Sequence, residues 1–136
     1  MRNVIIALII LLSFNSCQKA IEKVQEEAVI EAITTGYWTV TKFTKGATDV
    51  TTDFNSYLFQ FNENNTVDAL KNNVFERSGS WQANASTRTI NAQFSNSGAP
   101  LALLNGTWSI TNSTMTSVNA TQTINTEVYQ LQLNKQ

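Results

Sequence analysis

The stretch SYLFQF, residues 56–61, places Tyr57, Phe59 and Phe61 on one face of an extended chain, because successive side chains of a β-strand point to opposite faces. The same period of two recurs in later short runs. It groups Trp81 with Ala83, Ile90 with Ala92 and Phe94, Trp108 with Ile110, and Tyr129 with Leu131 and Leu133. Thr, Ser, Asn and Gln occupy most of the opposite faces. This alternation is typical of antiparallel strands that bury one face and expose the other.

Eight runs of this kind are predicted as strands: GYWTVTKFT (36–44), SYLFQF (56–61), TVDALK (66–71), GSWQAN (79–84), RTINAQF (88–94), GTWSIT (106–111), TMTSVNA (114–120) and EVYQLQL (127–133). Connections such as NENN (62–65), NAST (84–87) and NS (112–113) favour hairpins between neighbours. No segment offers the helical crossover that parallel strands need. We therefore predict an all-β fold, an eight-stranded antiparallel up-and-down β-barrel, since only closure removes both sheet edges. A two-sheet sandwich is the alternative.

Three Gly-x-Trp triplets stand at strand starts and contain all three tryptophans of the chain. They are Gly36-Tyr37-Trp38, Gly79-Ser80-Trp81 and Gly106-Thr107-Trp108. Glycine permits a bend or a close backbone approach, and the tryptophan two residues later points to the same face, where its large ring closes one end of the core. We predict that these rings are core plugs; a ligand-stacking site is the alternative.

These residues resemble a known family. GYWTV is similar to the first-strand motif of lipocalins, and GYWTVTKF followed by ATDVTTDFNSYLFQFNENNTVDA and GSW resembles the lipocalin-like domain of small bacterial lipoproteins, over about residues 35–134. The resemblance implies a lipocalin-like β-barrel that can enclose a cavity. Lipocalins usually carry a late arginine that packs over the first tryptophan, whereas Lys135 is the only basic residue near this C terminus, and the last arginine is Arg88.

The first sixteen residues have the layout of an export signal. Arg2 precedes the apolar run VIIALIILL (4–12), and small and polar residues lead to Cys17. Because an apolar run must reach about 20 residues to span a bilayer, we predict a signal peptide over residues 1–16. Cys17, preceded by Ser16, resembles the lipobox of bacterial lipoproteins, in which the cysteine is acylated, so Cys17 is the predicted lipid attachment site. An ordinary secretory signal with a free thiol is the alternative.

Acylation at Cys17 implies a membrane anchor, because two or more acyl chains tether a protein stably. Gln18 follows the cysteine where an inner-membrane lipoprotein often has aspartate. This favours the bacterial outer membrane, on either its periplasmic face or the cell surface. Residues 17–34 form the predicted lipid-anchored stalk, whose apolar spacing suits a short helix. The helix is either a stalk beside the domain or a surface that binds a partner or the membrane. The predicted barrel domain covers residues 35–136.

Composition excludes several functions. The chain has nine Lys and Arg, ten Asp and Glu and a net charge of −1, and no basic cluster, so we expect no nucleic-acid partner. It has no histidine, and its only cysteine is assigned to the anchor, which excludes zinc sites and Cys/His catalysis. We predict no cofactor, no metal and no enzymatic activity, since no pair of carboxylates has a recognisable catalytic spacing. Asp49 and Asp53 in DVTTD (49–53) either cap a turn, which we favour, or hold a cation.

Two functions remain. In the first, aromatic residues inside the barrel bind a small hydrophobic or amphipathic molecule; the candidate ligand-binding residues are Trp38, Tyr57, Phe59, Phe61, Trp81, Phe94, Trp108 and Tyr129. In the second, a filled barrel presents the loops TKGATDVTTDF (44–54) and SNSGAPLALLNG (95–106) to another envelope protein or to a secreted enzyme that it inhibits. A connected apolar cavity of about 300 Å³ or more supports the first function, and an interior at ordinary packing density supports the second.

Overall fold

The computed structural model describes residues 26–136. The predicted signal peptide (1–16), the predicted lipid attachment site Cys17 and residues 18–25 of the predicted stalk lie outside the described residues. In the described part, a helix over residues 26–34, here α1, precedes the strands. This confirms the predicted helix for that range.

Nine strands follow, each antiparallel to its neighbours in the sheet. They are β1 (Trp38–Lys45), β2 (Thr48–Asp49), β3 (Tyr57–Phe61), β4 (Thr66–Lys71), β5 (Val74–Asn84), β6 (Thr89–Gln93), β7 (Gly106–Ser113), β8 (Ser117–Ile124) and β9 (Glu127–Lys135). Two 3-10 helices, Thr51–Phe54 and Leu101–Leu104, lie in the longest connections. From β3 to β9, each strand pairs with the next one along the chain.

The sheet closes into a barrel because β1 also pairs with β9, from Trp38 opposite Lys135 to Lys45 opposite Tyr129. On its other edge β1 meets β3 at Trp38 opposite Phe59. The eight long strands therefore form a closed antiparallel ring, which confirms the predicted up-and-down barrel and excludes the sandwich.

The short strand β2 completes the wall where β1 and β3 diverge. Its Asp49 lies opposite Thr44 of β1, and the Val50 amide donates to the Phe43 carbonyl at 2.9 Å. The Phe43 amide in turn donates to the Thr51 hydroxyl at 2.9 Å. Asp49 fixes this segment by accepting hydrogen bonds from the Thr51 amide and hydroxyl. Asp49 is therefore a turn cap.

Most predicted strand starts agree with the structure to within two residues, and two differ by three residues or more. Strand β5 begins at Val74 and not at residue 79, because Asn72 and Asn73 both adopt positive φ (53° and 63°) and make a two-residue hairpin. Strand β8 begins at Ser117 and not at residue 114, because the Thr114 hydroxyl accepts a hydrogen bond from the Ser117 amide at 3.1 Å and caps the turn there.

The inward faces form one core. Every inward position of β3 is buried, and the alternation predicted for the later strands is observed. The partly buried residues Ala83, Ile90, Ile110 and Leu133 pack against this core.

The barrel has two ends. We call the end with α1, the turns 62–65, 85–88 and 114–116 and the C terminus the helix end, and the end with the loops 46–56, 72–73, 94–105 and 125–126 the loop end.

The loop end is closed by residues from its own 3-10 helices. Phe54, Leu101 and Leu104 are buried there. The Phe54 ring lies 5.3 Å from that of Phe43 and 6.3 Å from that of Tyr57. The two loops singled out in the sequence, 44–54 and 95–106, therefore lie at the same end of the barrel, and each supplies part of its cover.

Candidate functional site

The eight aromatic residues predicted to bind a ligand all lie inside the barrel. None is more than 8% exposed; they are Trp38, Tyr57, Phe59, Phe61, Trp81, Phe94, Trp108 and Tyr129. The structure brings many of them into contact. Phe61 meets Trp81 edge to face at 5.4 Å, and Phe59 lies between Tyr57 at 6.0 Å and Phe94 at 6.2 Å. These separations are those of packed aromatic pairs.

The space left among these side chains is small. It is an apolar cavity of about 50 Å³, compared with about 30 Å³ for one water in the liquid and about 300–1,000 Å³ for sites that hold small molecules. Phe59, Phe61, Phe94 and Trp108 line it, with aliphatic side chains such as Leu104 and Leu131. The centre of the barrel is therefore filled by its own side chains.

The three tryptophans have the same local arrangement. Each indole N–H donates to a backbone carbonyl at 2.9 Å: Trp38 to Ile33, Trp81 to Asn62 and Trp108 to Leu104. The accepting carbonyls belong to α1, to the β3–β4 turn and to the second 3-10 helix. Each ring is thus buried with its polar atom satisfied, and each fixes a segment that lies outside the sheet.

A larger pocket of about 550 Å³ lies at the helix end, between α1 and the rim of the barrel. We call it the helix-end pocket. On one side it is lined by Ala28, Val29, Ala32 and Ile33 of α1, and on the other by Trp38, Ile110, Val118 and the rim residues Arg88 and Met115. Val29 and Met115 are 37% and 64% exposed, so the pocket is open to solvent between apolar walls.

Lys135 holds α1 over this pocket. Its ammonium lies 5.1 Å from the centre of the Trp38 ring and donates to the Ala32 carbonyl at 2.7 Å. Together with the Trp38 bond to Ile33, this contact attaches the last turn of α1 to the barrel. Lys135 thus lies over the first tryptophan of the chain. The sequence showed Lys135 as the only late basic residue, but not that it reaches α1.

Arg88 stands at the rim of the helix-end pocket, in the turn between β5 and β6. The backbone of Arg88 has a φ of 54°, and its carbonyl accepts a hydrogen bond from the Ile110 amide at 2.8 Å. Sequence reasoning did not single out Arg88 as a site residue. The signal that was available is its position directly after the predicted turn NAST (84–87).

The loop end carries a different set of groups. The Tyr57 hydroxyl donates to the Glu76 carboxylate at 2.7 Å. Burial, together with that carboxylate, raises the pKa of Tyr57 to about 12. Near Tyr57, Val74 and Phe75 at the tip of the β4–β5 hairpin are 67% and 61% exposed.

Asp49 also lies at the loop end. Its carboxylate accepts a hydrogen bond from the Lys42 ammonium at 2.6 Å, and this contact together with Thr51 holds the pKa of the carboxyl well below its usual range.

Within residues 26–136, no three His, Cys, Asp or Glu side chains come close enough to hold a metal ion together. No helix there has the length and apolar character needed to cross a membrane.

The fold and the helix-end pocket define a small closed β-barrel protein with a helix packed over one end. No family model and no curated protein matches the chain. Among solved structures, the crystal structure of a DUF4847 family protein from Bacteroides vulgatus aligns with 79% of this chain and 99% of its own, with 18% sequence identity and a TM-score of 0.54. At this identity the likeness shows a shared fold.

Proposed function

We propose that the protein is a non-catalytic, lipid-anchored lipoprotein of the bacterial outer membrane that binds a small hydrophobic or amphipathic molecule in the helix-end pocket. The single observation that carries the binding role is the size and lining of this pocket: about 550 Å³ between apolar walls. That volume lies within the range of small-molecule sites.

The lipid anchor is supported by the sequence. The apolar run 4–12 ends shortly before Cys17, the only cysteine of the chain. The proposal of a non-catalytic role is supported by the absence of histidine from the chain and by the mainly apolar lining of the pocket, which offers no paired acid and base.

We place the proposed ligand site at the helix end, whereas the hypothesis drawn from the sequence placed it at the barrel centre. The central cavity of about 50 Å³ has room for little more than one water. Trp38 is the one residue of the predicted aromatic set that lines the helix-end pocket. The other aromatic residues of the set pack in the barrel core.

Native mass spectrometry of the full chain, purified from its own envelope in a mild detergent, tests this function. We expect an added mass of a few hundred daltons in the wild type. Ala28→Trp places a large ring in the pocket and should reduce or remove that mass, while Glu27→Trp, on a neighbouring residue that does not line the pocket, should retain it. Equal retention of the added mass by both variants would contradict the assignment of the pocket.

A second function is favoured by the filled centre and by the loop end. Val74 and Phe75 are exposed apolar residues beside loops 44–54 and 95–106, and such residues are enriched where proteins meet. On this hypothesis, the protein binds or inhibits another envelope or secreted protein. The same spectra would then show an added subunit. Its mass should disappear in Phe75→Ser and persist in Met115→Ser, which removes an equally exposed apolar residue at the other end.

A further inference from the structure

Among the residues from 26 to 136 that line the helix-end pocket, one is charged, and it is a cation. Arg88 stands at the rim, while the rest of the lining is apolar or uncharged. Glu27 and Glu31 of α1 do not line the pocket, because Ala28, Val29, Ala32 and Ile33 form the face of the helix that does. The pocket therefore combines an apolar interior with a single positive charge at its edge.

Arg88 has no carboxylate partner within residues 26–136. The ion pair found in that part of the chain joins Lys42 to Asp49 at the loop end. A guanidinium is always charged and presents its donors in a planar fork that matches a carboxylate. Within this described part of the chain, no carboxylate competes for Arg88, so its guanidinium can receive an anionic group from a bound molecule.

The backbone at Arg88 makes arginine an unexpected residue there. Its φ of 54° lies in the left-handed region, which costs about 1–2 kcal/mol for most residues and less for asparagine. Among the other non-glycine residues with positive φ, all but Thr126 are asparagine: Asn65, Asn72, Asn73, Asn96 and Asn125. An outlier of this kind, placed on a pocket, indicates a role for the side chain.

We propose that the helix-end pocket binds a single-chain amphiphile with a carboxylate head, such as a fatty acid. The alkyl chain lies against Ile33, Trp38 and Val118, and the carboxylate pairs with the Arg88 guanidinium. This inference rests on the proposed small-molecule function and specifies the class of its ligand.

Displacement of a neutral naphthylamine dye from the pocket tests the proposal, with dodecanoate and dodecanol as competitors below their aggregation limits. The protein is the chain in which a cleavable secretory signal replaces residues 1–17, recovered from the periplasm so that no detergent competes. The wild-type pocket should bind dodecanoate more tightly than dodecanol at pH 8. Arg88→Asn should weaken dodecanoate about tenfold, the loss expected for one charge-assisted contact, and leave dodecanol unchanged.

Matched variants separate charge from structure. Lys71→Asn makes the same charge change at the loop end and should leave both affinities unchanged. Arg88→Asn should fold with an unchanged or higher melting temperature, since asparagine tolerates positive φ; Arg88→Gln serves as a second neutral variant if it does not. Protonating the ligand carboxyl, at a pH well below the free carboxyl pKa of about 4.3, should abolish the difference between wild type and Arg88→Asn.

The outcomes distinguish the two proposals. An equal loss of both competitors in Arg88→Asn, or no loss of either, would overturn the carboxylate assignment while the pocket keeps its small-molecule function. If neither the dye nor either competitor binds the wild type, the proposed function itself is wrong.

Discussion

At the scale of single residues, the three tryptophans fill part of the barrel core and attach segments outside the sheet to it. Trp38, Trp81 and Trp108 each bury a large ring and donate the indole N–H to a carbonyl outside the sheet. The sequence predicted the buried rings, because all three follow a glycine at a strand start. It could not predict the accepting carbonyls, because these depend on where a helix or a turn lies in space.

The glycine of the second triplet is required for a different reason from the other two. Gly36 and Gly106 have positive φ, whereas a Cβ on Gly79 would lie 2.6 Å from the Gln93 carbonyl oxygen and 2.8 Å from the Phe94 ring. We expect Gly79→Ala to lower the free energy of unfolding by about 1–3 kcal/mol, as overpacking does. Urea denaturation at neutral pH measures the change.

Gly98 offers the control for that substitution. A Cβ there meets nothing within 4 Å, so Gly98→Ala should leave the free energy of unfolding unchanged or raise it by up to about 1 kcal/mol. If both alanine variants behave alike, the close approach at Gly79 does not limit stability.

At the scale of elements, the seam beside β1 depends on a small polar network. One edge of β1 pairs along its length with β9, but the other is shared between β3 and β2. The shared edge is held by Asp49, which accepts bonds from Lys42 and Thr51, and by Thr51, which contacts the Phe43 backbone. The seam therefore relies on side chains where the rest of the ring relies on strand pairing.

This network predicts how acid affects stability. The pKa of Asp49 is lowered in the folded protein, chiefly by its bond to Lys42 and then by Thr51. A lowered folded-state pKa means that the ionised carboxylate stabilises the fold above its unfolded pKa of about 3.9, and that this contribution is lost as the pH falls further. Wild type should therefore exceed Asp49→Asn in urea midpoint at pH 7, and the gap should close toward pH 2.

The attachment of α1 also depends on one side chain. Lys135→Met removes the bond to the Ala32 carbonyl and the charge over Trp38. We expect the free energy of unfolding to fall by about 1–2 kcal/mol, with faster amide exchange in residues 26–34. Lys71→Met is the matched control, because Lys71 also lies over an aromatic ring, 5.5 Å from the centre of Tyr57, but at the loop end. Protection of α1 that is unchanged in Lys135→Met would contradict this account.

Strand positions were more predictable than strand ends. The alternation in SYLFQF located β3 to within one residue, since β3 covers Tyr57–Phe61. The β7–β8 turn was predicted at Asn112–Ser113 but lies at 114–116, where Thr114 caps the hairpin. Local patterns report which face is buried, whereas the position of a turn in a polar run depends on which of several hydroxyl groups caps it.

At the scale of the whole molecule, the fold could be predicted from the sequence, but the position of the helix-end pocket could not. Period-two alternation is a local property and was enough to predict a closed sheet. The helix-end pocket brings together α1, the β5–β6 turn and the β7–β8 turn, which are far apart along the chain. Arg88 and Met115 carry no local signal of shared position, because their proximity arises only when the ring closes.

The proposed anchor predicts a covalent change at one residue. Cells grown with labelled palmitate should incorporate the label into the wild type, and Cys17→Ala should lose it, because Cys17 is the only cysteine of the chain. Persistent labelling of Cys17→Ala would show that the lipid is attached at another residue.

The pairing of β1 with β9 has one more consequence. The Gln136 amide donates to the Tyr37 carbonyl at 2.9 Å, so the sheet begins and ends at the same point of the ring. Such a ring has a cyclic order with no intrinsic first strand. A rearranged gene for the barrel that joins residue 136 to residue 37 by a short linker and starts instead between Asn72 and Asn73 should specify the same circle of strands, because circular permutation is tolerated where the joined ends are close and the new break falls in an exposed hairpin.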